Sequence, residues 1–199
     1  MTLTSINVRA DVKALERSLN DMARKQIPFA TARALTTTAK LVQARLTREM
    51  PDIFDRPTPF TMRAIGVTSA SKSNLTATVF VKDQQAKYLE IEETGGTRTP
   101  AKTALVLPAQ IKRNLYGNIA RGALQRAKAK SNVFIGTVHG VGGFWMRTNN
   151  GGVRLLAEFK AKASYKPIFK FNERAEQSVR RIFPSRLRLT LDQVMGTAR

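Results

Sequence analysis

No cysteine occurs in this chain, which excludes disulfides, thiolate nucleophiles and cysteine-bound zinc or iron–sulfur centres. Imidazole is nearly as scarce. His139 is the single histidine, and it precedes Gly140 with no nearby spacing of serine and acid that would make a nucleophile, base and orienter. Carboxylates are few, 14 against 34 lysines and arginines, and between Thr94 and Ala157 there is none at all. Aromatic residues make up only 7% of the chain, a thin supply for the stacking platforms that hold single strands. Tyr116 among Lys112, Arg113 and Arg121 is the best such cluster. No stretch approaches the roughly 18 uninterrupted apolar residues of a membrane helix, and the N-terminus lacks the apolar core of a signal peptide. A soluble, non-exported protein is expected. Gly140, Gly142 and Gly143 resemble a nucleotide loop in composition, yet GVGG leads into the strand residues Phe144 and Trp145, whereas phosphate cradles open a helix. With no zinc spacing or dinucleotide fingerprint either, the sequence predicts no catalytic residue, no cofactor, no metal and no small-molecule substrate.

What the chain has in abundance is positive charge: a formal +20 and a pI of about 11.2. Such a field attracts nucleic acid or an acidic protein surface. Much of it comes from the acid-free segment. There, Gly117 to Lys130 reads as a helix capped by Asn118, with a thin apolar face of Ile119, Ala123 and Leu124. It is expected to be a mobile or partner-facing basic excursion spanning about 110–131. Lys112, Arg113, Arg121, Arg126, Lys128 and Lys130 are its candidates for contact with DNA or an acidic partner. The one acidic cluster, Glu90, Glu92 and Glu93, lies in QQAKYLEIEETGG. Successive positions point in different directions and so make a poor metal site; a helix or strand edge facing the basic surface of a neighbouring subunit is the expected use, followed by a turn at Gly95 and Gly96.

Hydrophobic residues, at 42%, suffice for a core, and the expectation is one domain, 1–199. The main helix is Pro28 to Met50. Its Ala32, Leu35, Ala39, Val42 and Leu46 recur at steps of three and four and so share one face. Pro28 suits a first helical position and Pro51 a stop. Thr36, Thr37 and Thr38 weaken intrinsic helicity, so packing has to hold it. Before it, a strand from Thr2 to Arg9 and a helix from Val12 to Arg24 capped by Asp11 are expected, the latter continuing into the main helix through a bend at Pro28. After it, DIFDRPTPF reads as an extended connection. Thr61–Ser69 and Leu75–Asp83 form a hairpin whose second strand turns Leu75, Ala77, Val79 and Val81 to the core. Thr103–Leu107 is a further strand. Asn132–His139, Gly143–Thr148 and Val153–Phe159 make a meander, with NNGG as a type I′ turn at Asn150–Gly151 and Val153, Leu155, Ala157 and Phe159 sharing a face. Finally, Asn172 caps a helix to about Met195 that Pro184 interrupts, with Ala175, Val179, Ile182, Leu187, Leu191 and Val194 along one stripe and Arg180, Arg181, Arg186 and Arg188 beside it. Docking of this amphipathic helix against the N-terminal helices or a neighbouring subunit is expected over a membrane surface.

Three stretches, IPFATARALTTTAKLVQARLTREM, KYLEIEETGGTRTPA and FNERAEQSVRRIFPSRLRLTLDQV, resemble the minor tail protein Z family and related tail-completion or head–tail joining proteins of long-tailed bacteriophages. The resemblance implies a mixed α/β (α+β) subunit, a long N-terminal helix packed on an antiparallel sheet with a C-terminal amphipathic helix. It also implies assembly as a homo-oligomeric ring, often sixfold, in the virion neck or tail after assembly in the host cytoplasm. Its partners would be copies of itself, the adjoining tail-tube or head-side connector proteins, and DNA in passage. Gln110 to Ser131 and the glycine-rich meander depart from the family's pattern. A free, non-sequence-specific nucleic-acid-binding protein is the alternative.

Overall fold

The computed structural model describes residues 6–9, 21–100 and 104–196. The chain forms two compact units: residues up to Thr94 together with those from Ile168 onward, and the segment Gly95–Pro167 between them. The elements of the first unit are β1 (Ile6–Arg9), α1 (Asp21–Ile53), α2 (Pro59–Met62), β2 (Ile65–Thr68), β3 (Thr76–Val81), α3 (Asp83–Thr94) and, after the second unit, α5 (Phe171–Gly196). Those of the second are β4 (Gly96–Arg98), β5 (Leu105–Pro108), α4 (Ala123–Lys128), β6 (Val133–Val138), β7 (Val141–Arg147), β8 (Val153–Lys160) and β9 (Ala163–Tyr165).

In the first unit the apolar face of α1 is buried as its spacing predicts: Leu35, Ala39 and Val42 are fully enclosed, and Ala32 and Leu46 nearly so. On one side α1 packs on an antiparallel sheet of order β1-β3-β2, and along its length on α5. The central strand β3 contributes Ala77, Val79 and Val81, all buried, in the predicted alternation. The long helix on an antiparallel sheet, with a C-terminal helix, is thus the architecture of this unit. Phe169 and Phe171 complete the core, their rings 5.7 Å apart, and the Phe54 ring lies tilted against Phe169 at 5.4 Å.

Several boundaries differ from the sequence reading. Neither Pro28 nor Pro51 delimits α1, which runs unbroken through both. A proline interior to a helix forfeits one backbone hydrogen bond, and burial of the whole α1 face outweighs that. Pro51 falls in the last turn, where Phe54 N still donates to Met50 O. The extended connection expected after Pro51 is instead a bend and a short helix, α2, capped by the Thr58 hydroxyl accepting from Thr61 N. Thr61 therefore belongs to α2, and the hairpin strand begins at Ile65. Asn172 is not the cap of α5, and Pro184 does not interrupt that helix. The expected strand residues 2–5, the cap Asp11 and the helix residues 12–20 lie outside the described residues, as do 101–103; Ile6–Arg9 pairs with β3, and Asp21–Arg24 are helical.

The second unit is an antiparallel sheet of order β5-β8-β7-β6 with a two-stranded ribbon, β4-β9. The meander stands where the sequence places it, with two differences at its turns. Positive φ at both His139 and Gly140 makes the β6–β7 link the type I′ turn, which gives the lone histidine a turn position. At NNGG only Gly151 has positive φ, and Thr148 and Gly152 close a three-residue loop. Between β7 and β8 the register jumps from Phe144–Ala157 to Trp145–Leu155, skipping Leu156. This bulge breaks the expected alternation in β8, so that Leu156 and Ala157 are buried side by side. The Leu156 carbonyl then accepts from the backbone N–H groups of Ala109, Gln110 and Ile111, drawing that segment onto the sheet.

Candidate functional site

The acidic cluster falls on α3, where Leu89 and Gln85 face the core. Its three carboxylates diverge. Glu90 is exposed, and Glu92 is half-buried, with burial pushing its carboxyl above the ordinary carboxylate value. Glu93 turns back to the start of α5, where its two oxygens accept from Phe171 N at 2.6 Å and Asn172 N at 3.2 Å. A carboxylate at this position satisfies orphan N–H donors and meets the positive end of the helix dipole. The Glu92 carbonyl takes Ile168 N and Phe169 N at 2.8 and 2.9 Å. Glu93 is therefore engaged within its own chain, and Glu90 is the member of the cluster most open to a neighbour. Among the described residues no group of three or more His, Asp or Glu side chains comes together to hold a metal ion, and no helix is long and apolar enough to cross a membrane.

The basic segment is packed, contrary to the excursion its thin apolar face predicts. Only Ala123–Lys128 is helical. Gly117 and Asn118 lie in a small turn that the Asn114 side chain closes by accepting from Tyr116 N and Asn118 N, with Arg113 and Ile119 bridged across it. Ala123 and Ala127 lie buried with Ile111, Phe144, Leu156 and Ala157. Alanine is small enough for a helix to sit close to a sheet, and a tally of large apolar residues overlooks that contribution.

Of the six candidate contact cations, Lys112, Arg126 and Lys130 line one hollow of about 310 Å³, together with Arg154 of β8. All four are exposed, while the floor is aliphatic: Ile111, Ala123, Ala127, Val133, Met146 and Leu156. Arg126 keeps one guanidinium hydrogen bond at home, to the Arg121 carbonyl at 3.0 Å, and Arg113 is turned away from the hollow, donating to the carbonyls of Pro108 and Ala109 at 2.9 and 2.8 Å. Arg121 and Lys128 are exposed and do not line the hollow. Arg154 escapes a linear reading because it joins the cluster through sheet register, opposite Met146, which in turn faces Val133. Residues 95–167 hold thirteen lysines and arginines against one acid, Glu158, and that acid is paired with Lys160 at 2.6 Å. The unit thus carries +12 of the chain's +20, in a third of its length.

A second basic surface lies in the first unit. Arg45 and Arg48 of α1 meet Arg181 and Arg186 of α5 along a groove of about 380 Å³ floored by Leu41 and Ile182. No carboxylate lines it. Arg45 is partly engaged by Glu49 at 2.8 Å, and Glu49 also receives Arg174 at 3.3 Å. The Arg45 hydrogen bond is the main cause holding the Glu49 carboxyl below its ordinary value. The sequence shows the arginines flanking the C-terminal stripe; their convergence with α1 depends on how the two helices pack. Set against family models, curated proteins and solved structures, the chain matches none of them.

Proposed function

We propose that this chain is a structural virion protein of the phage neck or tail, a ring-forming tail-completion or head–tail joining subunit through which DNA passes. The observation that carries the reading is the presence of two basic surfaces of different chemistry on one small subunit. The arginine groove suits phosphate, because planar guanidinium forks match its oxygens. The hollow, with six apolar lining residues against three in the groove, suits a protein surface that offers both carboxylates and an apolar side chain. A subunit lodged between passing DNA and adjoining protein rings needs both kinds of contact, and complementary fields guide such docking. Glu90, open on α3, then meets a basic neighbour in the ring. The resemblance of the three stretches to the minor tail protein Z family supports the same reading, as does the architecture of the first unit. Its mechanism is adhesive, with no bond made or broken.

Immunogold labelling of purified particles tests this, together with light scattering of the purified chain. Label at the neck or tail and a mass several times the 22.1 kDa of one chain are expected; unlabelled particles overturn the proposal. The arginine groove also favours a second reading, a free nucleic-acid-binding protein. That protein would be a monomer in solution with a steep salt dependence of duplex affinity. Removing Arg48, Arg181 and Arg186 would make the log–log salt slope shallower by about 0.9 for each phosphate left without its cation.

A further inference from the structure

The lining of the hollow in the second unit restricts the chemistry of what can dock there. Its rim of Lys112, Arg126, Lys130 and Arg154 carries four positive charges, and no carboxylate lines it. Duplex DNA would satisfy the rim and leave the floor unused, since the sugar–phosphate backbone projects no apolar group into a pocket. A single strand would insert a base, and base-binding pockets stack that base on aromatic rings. Here no aromatic ring lines the hollow: apart from the exposed Gln110 and the four cations the lining is aliphatic, with Met146 its one polarizable side chain. Methionine and small aliphatic residues instead adapt to an inserted apolar side chain. The volume, about 310 Å³, lies at the small end for ligand pockets, room for an anchor rather than a whole ligand.

We propose that this hollow is a docking site for an acidic protein segment, which buries an apolar side chain against Ile111, Ala127 and Leu156 while flanking carboxylates meet Lys112, Arg126, Lys130 and Arg154. The rim steers and orients, and the floor supplies the contact that excludes water. This sharpens the adhesive part of the function proposed above without resting on it, because a chain that forms no ring still has the pocket.

The test is fluorescence anisotropy on the full chain with a labelled short peptide that repeats Glu-Glu-Leu, beside the same peptide with serine for leucine. The leucine peptide is expected to bind at least tenfold more tightly. The double variant Lys130→Glu/Arg154→Glu should abolish that preference, while Arg121→Glu/Lys128→Glu, which changes the net charge equally away from the hollow, should retain it. These four side chains are exposed, and circular dichroism checks that each variant is folded. Equal affinity for the two peptides would overturn the proposal, since it would mean charge attraction alone. Equal loss in the two double variants would overturn it too. So would displacement of the leucine peptide by a single-stranded oligonucleotide whose own binding requires Lys130 and Arg154, which would make the hollow a nucleic-acid site.

Discussion

Glu93 illustrates how far a side chain's role depends on what the fold brings to it. In the sequence it is one of three clustered carboxylates; in the structure it caps a helix that begins 78 residues later, through hydrogen bonds to Phe171 N and Asn172 N. Removing a cap of this kind costs about 1–2 kcal/mol. Glu93→Ala should therefore lower the stability read from urea unfolding by that amount, with Glu93→Gln intermediate and Glu90→Ala near neutral. Glu49 gives a pH signature. Its folded pKa is depressed, chiefly by the Arg45 hydrogen bond, so its contribution is present above the ordinary value of 4.5 and fades as pH falls through the folded one. All three partners are partly exposed, which limits the gain through solvent screening. Glu49→Gln should cost less than about 1 kcal/mol at pH 7, and the difference from wild type should close as urea titrations move below pH 4.5. The three adjacent threonines also part company. Thr36 accepts a hydrogen bond from Ala70 N, while Thr38 is buried with its hydroxyl unpartnered among the described residues. Their stiffness at the backbone is shared, but their surroundings are not.

Among helices and strands, legibility in the sequence follows periodicity. The α1 face and the alternation of Ala77, Val79 and Val81 are plain in the sequence because a single period runs through each. The caps and stops are not, because proline and asparagine report only a local preference: Pro28, Pro51 and Pro184 all sit inside helices whose burial overrides it, and Asn172 is displaced as a cap by a carboxylate from a distant helix. Lys112, Arg126 and Lys130 are legible as a basic segment, and their convergence with Arg154 is not, since it follows from a sheet register that no local pattern encodes. The β7–β8 bulge belongs to the same class. Gly143, which the sequence shows only as part of a misleading glycine cluster, lies where a Cβ would strike the Ala157 carbonyl and approach Leu155 Cδ1 to 2.9 Å. The close approach of β7 to β8 thus requires glycine. Gly143→Ala should cost about 3 kcal/mol by overpacking and expose Trp145, visible as a red-shifted fluorescence maximum. Gly140→Ala, at a position with nothing within 4 Å of the added carbon, should cost less, through its positive φ of 78° alone.

Taken entire, the chain divides its charge unevenly. The second unit carries +12 with one carboxylate, and the first carries +8 with thirteen. Self-repulsion on that pattern weighs on the second unit, whose hydrophobic core is small. It should therefore be the part more stabilised by polyanions or moderate salt, which hydrogen exchange resolved by peptide would read directly.

The fastening around Glu92 and Glu93 has one more consequence. The chain leaves the first unit after Thr94 and re-enters at Ile168, and those two points are held together by backbone hydrogen bonds from Ile168 and Phe169 to Glu92, while Gly96 pairs with Tyr165 just beyond. Seventy-three residues are thus inserted through a gap that a tight turn could span, and closing so short a loop costs little entropy. Replacing 95–167 with a few glycines should leave the remainder able to fold cooperatively, with α1, α5 and the three-stranded sheet intact by circular dichroism. A different insert could then be set into the same gap without redesigning the elements around it.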